Sequence, residues 1–124
     1  MSPPAAYLHV LAAFADFDGR ASRADFWGFW LVHGGIGFIL LIGSAIVADR
    51  AALGFVAGGM VFATYAALTF FPALSLTARR LHDIGRTSLW TSLLLVPVVG
   101  WGLLGVWLVQ AGEAGPNGWG QPPD

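Results

Sequence analysis

The stretch Phe26–Ala48 reads FWGFWLVHGGIGFILLIGSAIVA, and its only strongly polar side chain is His33. As a helix it covers about 35 Å, more than the roughly 30 Å hydrocarbon core of a bilayer. Two stretches of the same kind follow, Leu53–Ala78 and Leu89–Gln110, and neither carries a charge. A helix satisfies its own backbone in lipid, whereas barrel strands are about half as long and alternate polar with apolar residues. None of the three stretches alternates. The sequence therefore predicts an all-α integral membrane protein: one membrane domain over residues 1–124, a bundle of about three transmembrane helices at 26–48, 53–78 and 89–110.

Composition agrees. The chain has 124 residues, 56% of them apolar and 10% charged, against about a quarter charged in soluble domains. So short a chain has too much surface to hide that apolar area from water. The net charge of −1 gives no support for a nucleic-acid partner. Cys is absent, which excludes disulfides, thiolate nucleophiles and thiolate metal sites. The first 19 residues hold no Arg or Lys. The basic region of a secretory signal is missing, and Met1–Gly19 is expected to stay in the mature protein.

Local signals mark the helix ends. Ser22-Arg23-Ala24-Asp25 reads as a capping box, with Ser22 as cap and Asp25 reaching back to its backbone N–H. Asp49-Arg50 reads as a polar turn. Gly85 can end the second helix, and Thr87 or Ser88 can cap the third. Pro72 and Pro97 are expected to kink spans two and three. Ahead of the first span, Tyr7, Leu8, Val10, Leu11, Phe14 and Phe17 recur at spacings of three and four. This predicts a short N-terminal interfacial helix in an arm over 1–19, the alternative being an arm packed on the bundle. Residues 111–124, rich in Gly and Pro, read as an irregular tail.

Orientation follows from the basic residues, all of them Arg. Arg20 and Arg23 precede span one, Arg79, Arg80 and Arg86 follow span two, and Arg50 alone lies between those spans. The bias predicts a multi-pass protein with a cytoplasmic N-terminus and an external C-terminal tail. Trp27, Trp30 and Trp90 would then lie near the inner interface and Trp107 near the outer one.

Two segments carry a family pattern: Phe17-Asp18-Gly19-Arg20-Ala21-Ser22-Arg23-Ala24-Asp25-Phe26-Trp27 and Arg79-Arg80-Leu81-His82-Asp83-Ile84-Gly85-Arg86. A weaker piece is Gly115-Pro116-Asn117-Gly118-Trp119-Gly120 with Pro122. Together they resemble the YhaH-like family of small bacterial inner-membrane proteins, known as domain of unknown function 805. Where that family shows Ser-Gly-Trp-Trp, this chain has Thr87-Ser88-Leu89-Trp90. The resemblance implies a bacterial inner-membrane location and no particular activity.

The segment 79–86 is the richest in chemistry. On a continuing helix Arg79 and Asp83 are one turn apart and can pair, and His82 shares a face with Arg86. Arg clusters at an inner interface hold anionic headgroups or simply set topology. Arg20, Arg23 and Asp25 belong at the same depth, so an ion pair between the two segments is expected. Five Arg beside Asp25 and Asp83 would leave a surplus of positive charge for a lipid phosphate or an acidic partner.

His33 falls about 15 Å into span one. There it is either a structural hydrogen-bond partner or an intramembrane functional group. Gly54 and Gly58 form a GxxxG pair, and Gly59, Ala63 and Ala67 add small residues at four-residue steps. They suit packing within the chain or an interface with a second copy or partner. Ser44 has no base near it, no two His have metal-ligand spacing, and no phosphate-cradling loop appears.

No enzyme, cofactor or metal is expected. The sequence points to a non-enzymatic accessory subunit that binds protein or lipid. Its partners would be membrane lipids, chiefly anionic headgroups, and a larger membrane complex or homo-oligomer. The alternative is one component of an oligomeric transporter or channel.

Overall fold

The computed structural model describes residues 2–48 and 52–123. Its elements are helical: α1 (Pro3–Ala12), α2 (Arg23–Ala48), α3 (Ala52–Asp83), a 3-10 helix (Ser88–Leu95) and α4 (Val99–Val109). The expected turn at Asp49-Arg50 lies outside the described residues.

Helix α2 opens as the capping pattern predicts, with one difference. The Asp25 N–H donates to Ser22 Oγ at 3.0 Å, but the Asp25 carboxylate accepts the Ser22 hydroxyl at 2.8 Å rather than its backbone N–H. Helix α3 runs through Asp83, five residues past the expected span, and stops where Gly85 adopts φ 75°. In that left-handed conformation Gly85 N–H bonds the His82 carbonyl and Arg86 N–H bonds the Leu81 carbonyl. A side chain there would be strained.

Helices α2 and α3 pack along their length. A Cβ on Gly54 would strike the Val47 backbone and one on Gly58 would strike Ser44. The GxxxG pair therefore serves contact within the chain. Gly59 faces open space, and Ala63 and Ala67 are exposed. The N-terminal arm forms α1, whose apolar face is turned to the bundle. Ala6, Tyr7 and Val10 are buried, and the Tyr7 ring stacks on Phe29 at 5.3 Å.

The third apolar stretch differs from expectation. A straight helix would put Trp90 and Trp107 about 25 Å apart. Their rings meet at 5.3 Å, and Trp101 Nε1 donates to the Leu94 carbonyl at 2.9 Å. Residues 88–109 therefore form a hairpin, the 3-10 helix going out and α4 returning. Its tip is Val96-Pro97-Val98, where Val99 N–H bonds the Pro97 carbonyl at 2.8 Å across Val98 at φ 64°, ψ −70°. This is a γ-turn, and a strained one. Pro97 marks a reversal and not a kink. Thr87 precedes the 3-10 helix without a capping side-chain bond.

The hairpin corrects the expected topology. The chain leaves it at the end where it entered, so the tail lies beside the start of α2 and the end of α3. Trp107 likewise lies at the same end as Trp90. Two helices, Arg23–Ala48 and Leu53–Asp83, are long and apolar enough to cross a membrane. The arms of the hairpin, about 16 Å each, are too short to cross singly.

Candidate functional site

Four segments converge at the end of the bundle where α2 begins and α3 stops: the loop 13–22, the last turn of α3, the end of α4 and the tail. Asp83 is the centre. Its Oδ1 accepts Arg20 Nε at 3.0 Å, with a second Arg20 nitrogen at 2.9 Å, and its Oδ2 accepts Arg80. The side chains of Arg20 and Asp83 are only 1% and 5% exposed, and that of Arg80 is fully buried. Burying a guanidinium group is costly unless it is paired and its remaining N–H groups are bonded.

Backbone carbonyls complete that requirement. Arg20 donates to the carbonyls of Gly115, Glu113 and Gly120 in the tail. Arg80 donates to those of Leu108, Gln110 and Ala21. In turn the Asp83 carbonyl accepts Glu113 N–H at 2.8 Å, and Ala21 N–H bonds the Arg79 carbonyl at 3.0 Å. The two Arg motifs thus meet through Asp83, and the tail is tied to both.

His82 holds the other side of the tail. Its Nδ1 donates to the Gly19 carbonyl at 3.0 Å, and its ring stacks on Trp119 with centroids 4.6 Å apart. Asn117 Nδ2 donates to the His82 carbonyl at 2.9 Å and to Glu113 Oε2 at 2.7 Å. Glu113, Asn117 and Trp119 were not among the residues expected here. For Asn117 and Trp119 the one signal was the Gly115–Gly120 piece, and Glu113 had none, since the contacts that tie them to the bundle are long-range.

Several pairings differ from expectation. Arg80 and Arg20 pair with Asp83, and Arg79 does not. Arg79 is buried, and its Nε and one terminal nitrogen have no hydrogen-bond partner among the described residues, although Asp16 and Asp25 attract it through space. Asp25 bonds Ser22 and forms no ion pair within 4 Å among the described residues. Arg86 lies beyond the helix end, so it shares no helical face with His82, and its guanidinium sits 3.8 Å over the Trp107 ring. The expected surplus of positive charge is also absent. Among the described residues Asp16, Asp18, Asp25, Asp83 and Glu113 offset Arg20, Arg23, Arg79, Arg80 and Arg86, five against five.

Half-buried His33 lies apart from this cluster, against α3. Its Nδ1 is 2.9 Å from the Tyr65 hydroxyl, which is 3.2 Å from the Tyr7 hydroxyl. The His33 ring stacks between Phe29 and Tyr65. Among the described residues no three His, Asp or Glu side chains gather as a metal site would require.

The Arg, His, Asp, Asn and Trp side chains of this polar end fall inside a family match. Residues 14–121 match the family described as Protein of unknown function (DUF805). The chain is 36% identical over 117 residues to the inner membrane protein YhaH of Escherichia coli strain K12, covering 94% of each chain. It is 35% identical over 117 residues to the inner membrane protein YhaI of the same strain, covering 94% of this chain and 93% of the relative. No solved structure matches it. The chain that ties its tail to two apolar helices through Arg20, Arg80 and Asp83 belongs to the DUF805 family of inner membrane proteins of unknown function.

Proposed function

We propose that this chain is a non-enzymatic inner-membrane protein that works by binding lipid or another membrane protein, as an accessory subunit. In this reading α2 and α3 cross the bilayer, α1 lies at the interface, and the hairpin 88–109 enters and leaves from one side. The excess of Arg at that end favours a cytoplasmic side for it, and with it for the N-terminal arm and the tail.

The supporting observation is how the polar end uses its charges. Arg20, Arg80, His82 and Asp83 spend their bonding capacity on one another and on backbone carbonyls. They form a latch between the tail and the bundle. Large apolar side chains point outward instead: Leu31, Phe38, Phe55, Phe70 and Leu95 are all more than half exposed. A surface of that kind meets lipid or the face of a neighbouring helix.

The test is the particle released from bacterial membranes by gentle detergent. The expected result is one copy of the chain carrying stoichiometric lipid or a defined membrane partner. A bare chain without either contradicts the proposal, and so does a closed symmetric ring around a water-filled path.

A further inference from the structure

A groove of about 360 Å³ runs between α2, α3 and α4. Its lining includes Phe26, Trp27, Trp30, Phe70, Trp101 and Leu104. The floor is buried, with Phe26 3% and Leu104 2% exposed, while Trp27, Phe70 and Trp101 stand out at the rim. The groove is therefore open along its side. An extended hydrocarbon chain matches its volume and its apolar lining.

One charged side chain stands beside the same groove. Arg23 lies one turn before Trp27 on the same face of α2, and it donates to the Val109 carbonyl at 3.4 Å, beside the groove residue Leu108. Its guanidinium thus stands at the mouth of the groove. Arg23 is exposed and forms no ion pair within 4 Å among the described residues, unlike Arg20 and Arg80 in the latch. Deeper along α2, Trp30 adds its ring to the apolar lining.

We propose that this groove holds one anionic glycerophospholipid, with an acyl chain along its aromatic lining and the phosphate on Arg23. The proposal rests on the membrane placement argued above and names the lipid that the placement implies. The apolar lining and the Arg23 charge each have a counterpart in that one molecule. A free phosphate would leave the apolar groove unfilled. A neutral hydrocarbon would leave Arg23 without a partner.

The test uses the full chain, purified in gentle detergent and offered equal amounts of phosphatidylglycerol and phosphatidylcholine before native mass spectrometry. One bound lipid per chain is expected, with phosphatidylglycerol favoured about fivefold, the effect of one Arg near a membrane surface. Arg23→Gln should abolish the preference while keeping the lipid. Gly105 lines the groove and faces open space, so Gly105→Leu should fill it and expel both lipids. Neither substitution touches the Arg20–Asp83 latch, and an unchanged circular dichroism melt confirms that each variant folds. Equal binding of the two lipids by the original chain, or undiminished binding by Gly105→Leu, overturns the proposal. A chain that binds no lipid yet keeps a stoichiometric protein partner overturns the groove assignment and leaves the accessory role standing.

Discussion

Arg20 and Asp83, sixty-three residues apart in the chain, form a buried ion pair at 2.9 Å that ties the entry of the first long helix to the exit of the second. The same Arg20 holds the tail by its carbonyls, and the same Asp83 holds Arg80. One carboxylate thus serves two buried guanidinium groups. That asymmetry decides which loss matters more.

Asp83→Asn leaves two buried cations facing no counter-charge, while Arg20→Gln leaves Asp83 still paired with Arg80. Removing one partner of a buried pair costs about 3–5 kcal/mol. Asp83→Asn is expected at or above that figure, and Arg20→Gln below it. Melting of the detergent-solubilised protein followed by circular dichroism gives the order. An Asp83→Asn protein as stable as the original contradicts the latch.

The tail should depend on one stacked pair. Trp119→Ala removes the ring on His82 and should free residues 111–123, while Trp119→Phe keeps a ring to stack. Limited proteolysis reads the difference as rapid loss of the tail in Trp119→Ala only. Equal protection of both variants means that the Glu113 backbone bond and the Asn117 side-chain bond suffice.

The two neighbouring glycines should behave oppositely. Gly58→Leu drives a side chain into Ser44 and forces α2 and α3 apart, whereas Gly59→Leu points into open space. Overpacking costs about 1–3 kcal/mol, so Gly58→Leu should lower the melting temperature while Gly59→Leu leaves it in place. If Gly59→Leu alone disrupts the purified particle, the open face is an interface with another chain.

Much of this arrangement was legible in the sequence. Span lengths, the Ser22 cap and the Gly85 stop follow from residue types acting on their own neighbours. The meeting of the two Arg motifs followed from depth, since both sit at the same ends of adjacent helices. The hairpin did not follow. The twenty-two residues of Leu89–Gln110 suit one straight crossing as well as two short arms, because hydropathy is blind to a reversal. Pro97 signalled a break, but the turn needs a positive φ at Val98, which a β-branched residue disfavours. The tail escaped for another reason. Glu113, Asn117 and Trp119 act across thirty or more residues, and no periodicity records such contacts.

Strain at the hairpin tip gives a further prediction. Holding Val98 at φ 64° costs about 1–3 kcal/mol. Glycine relieves it and returns about 0.5–1 kcal/mol through its freer unfolded chain. Strain is the larger effect, so Val98→Gly should stabilise the protein by about 1 kcal/mol, roughly 3 °C in melting temperature. Val99→Gly, inside α4, should lower it. A destabilised Val98→Gly contradicts the tight γ-turn.

The most direct test of the account is which side of the membrane the tail occupies. Because the chain has no Cys, single Cys residues at Ala15, Leu53 and Gly118 can be labelled without background. Leu53, in the first turn of α3, lies about 45 Å from Asp83, beyond the hydrocarbon core. In spheroplasts an impermeant maleimide should label Leu53→Cys alone, and in inverted vesicles it should label Ala15→Cys and Gly118→Cys together. Labelling of Gly118→Cys from the same side as Leu53→Cys, with Ala15→Cys protected, would mean that residues 88–109 cross the membrane and that the hairpin does not exist.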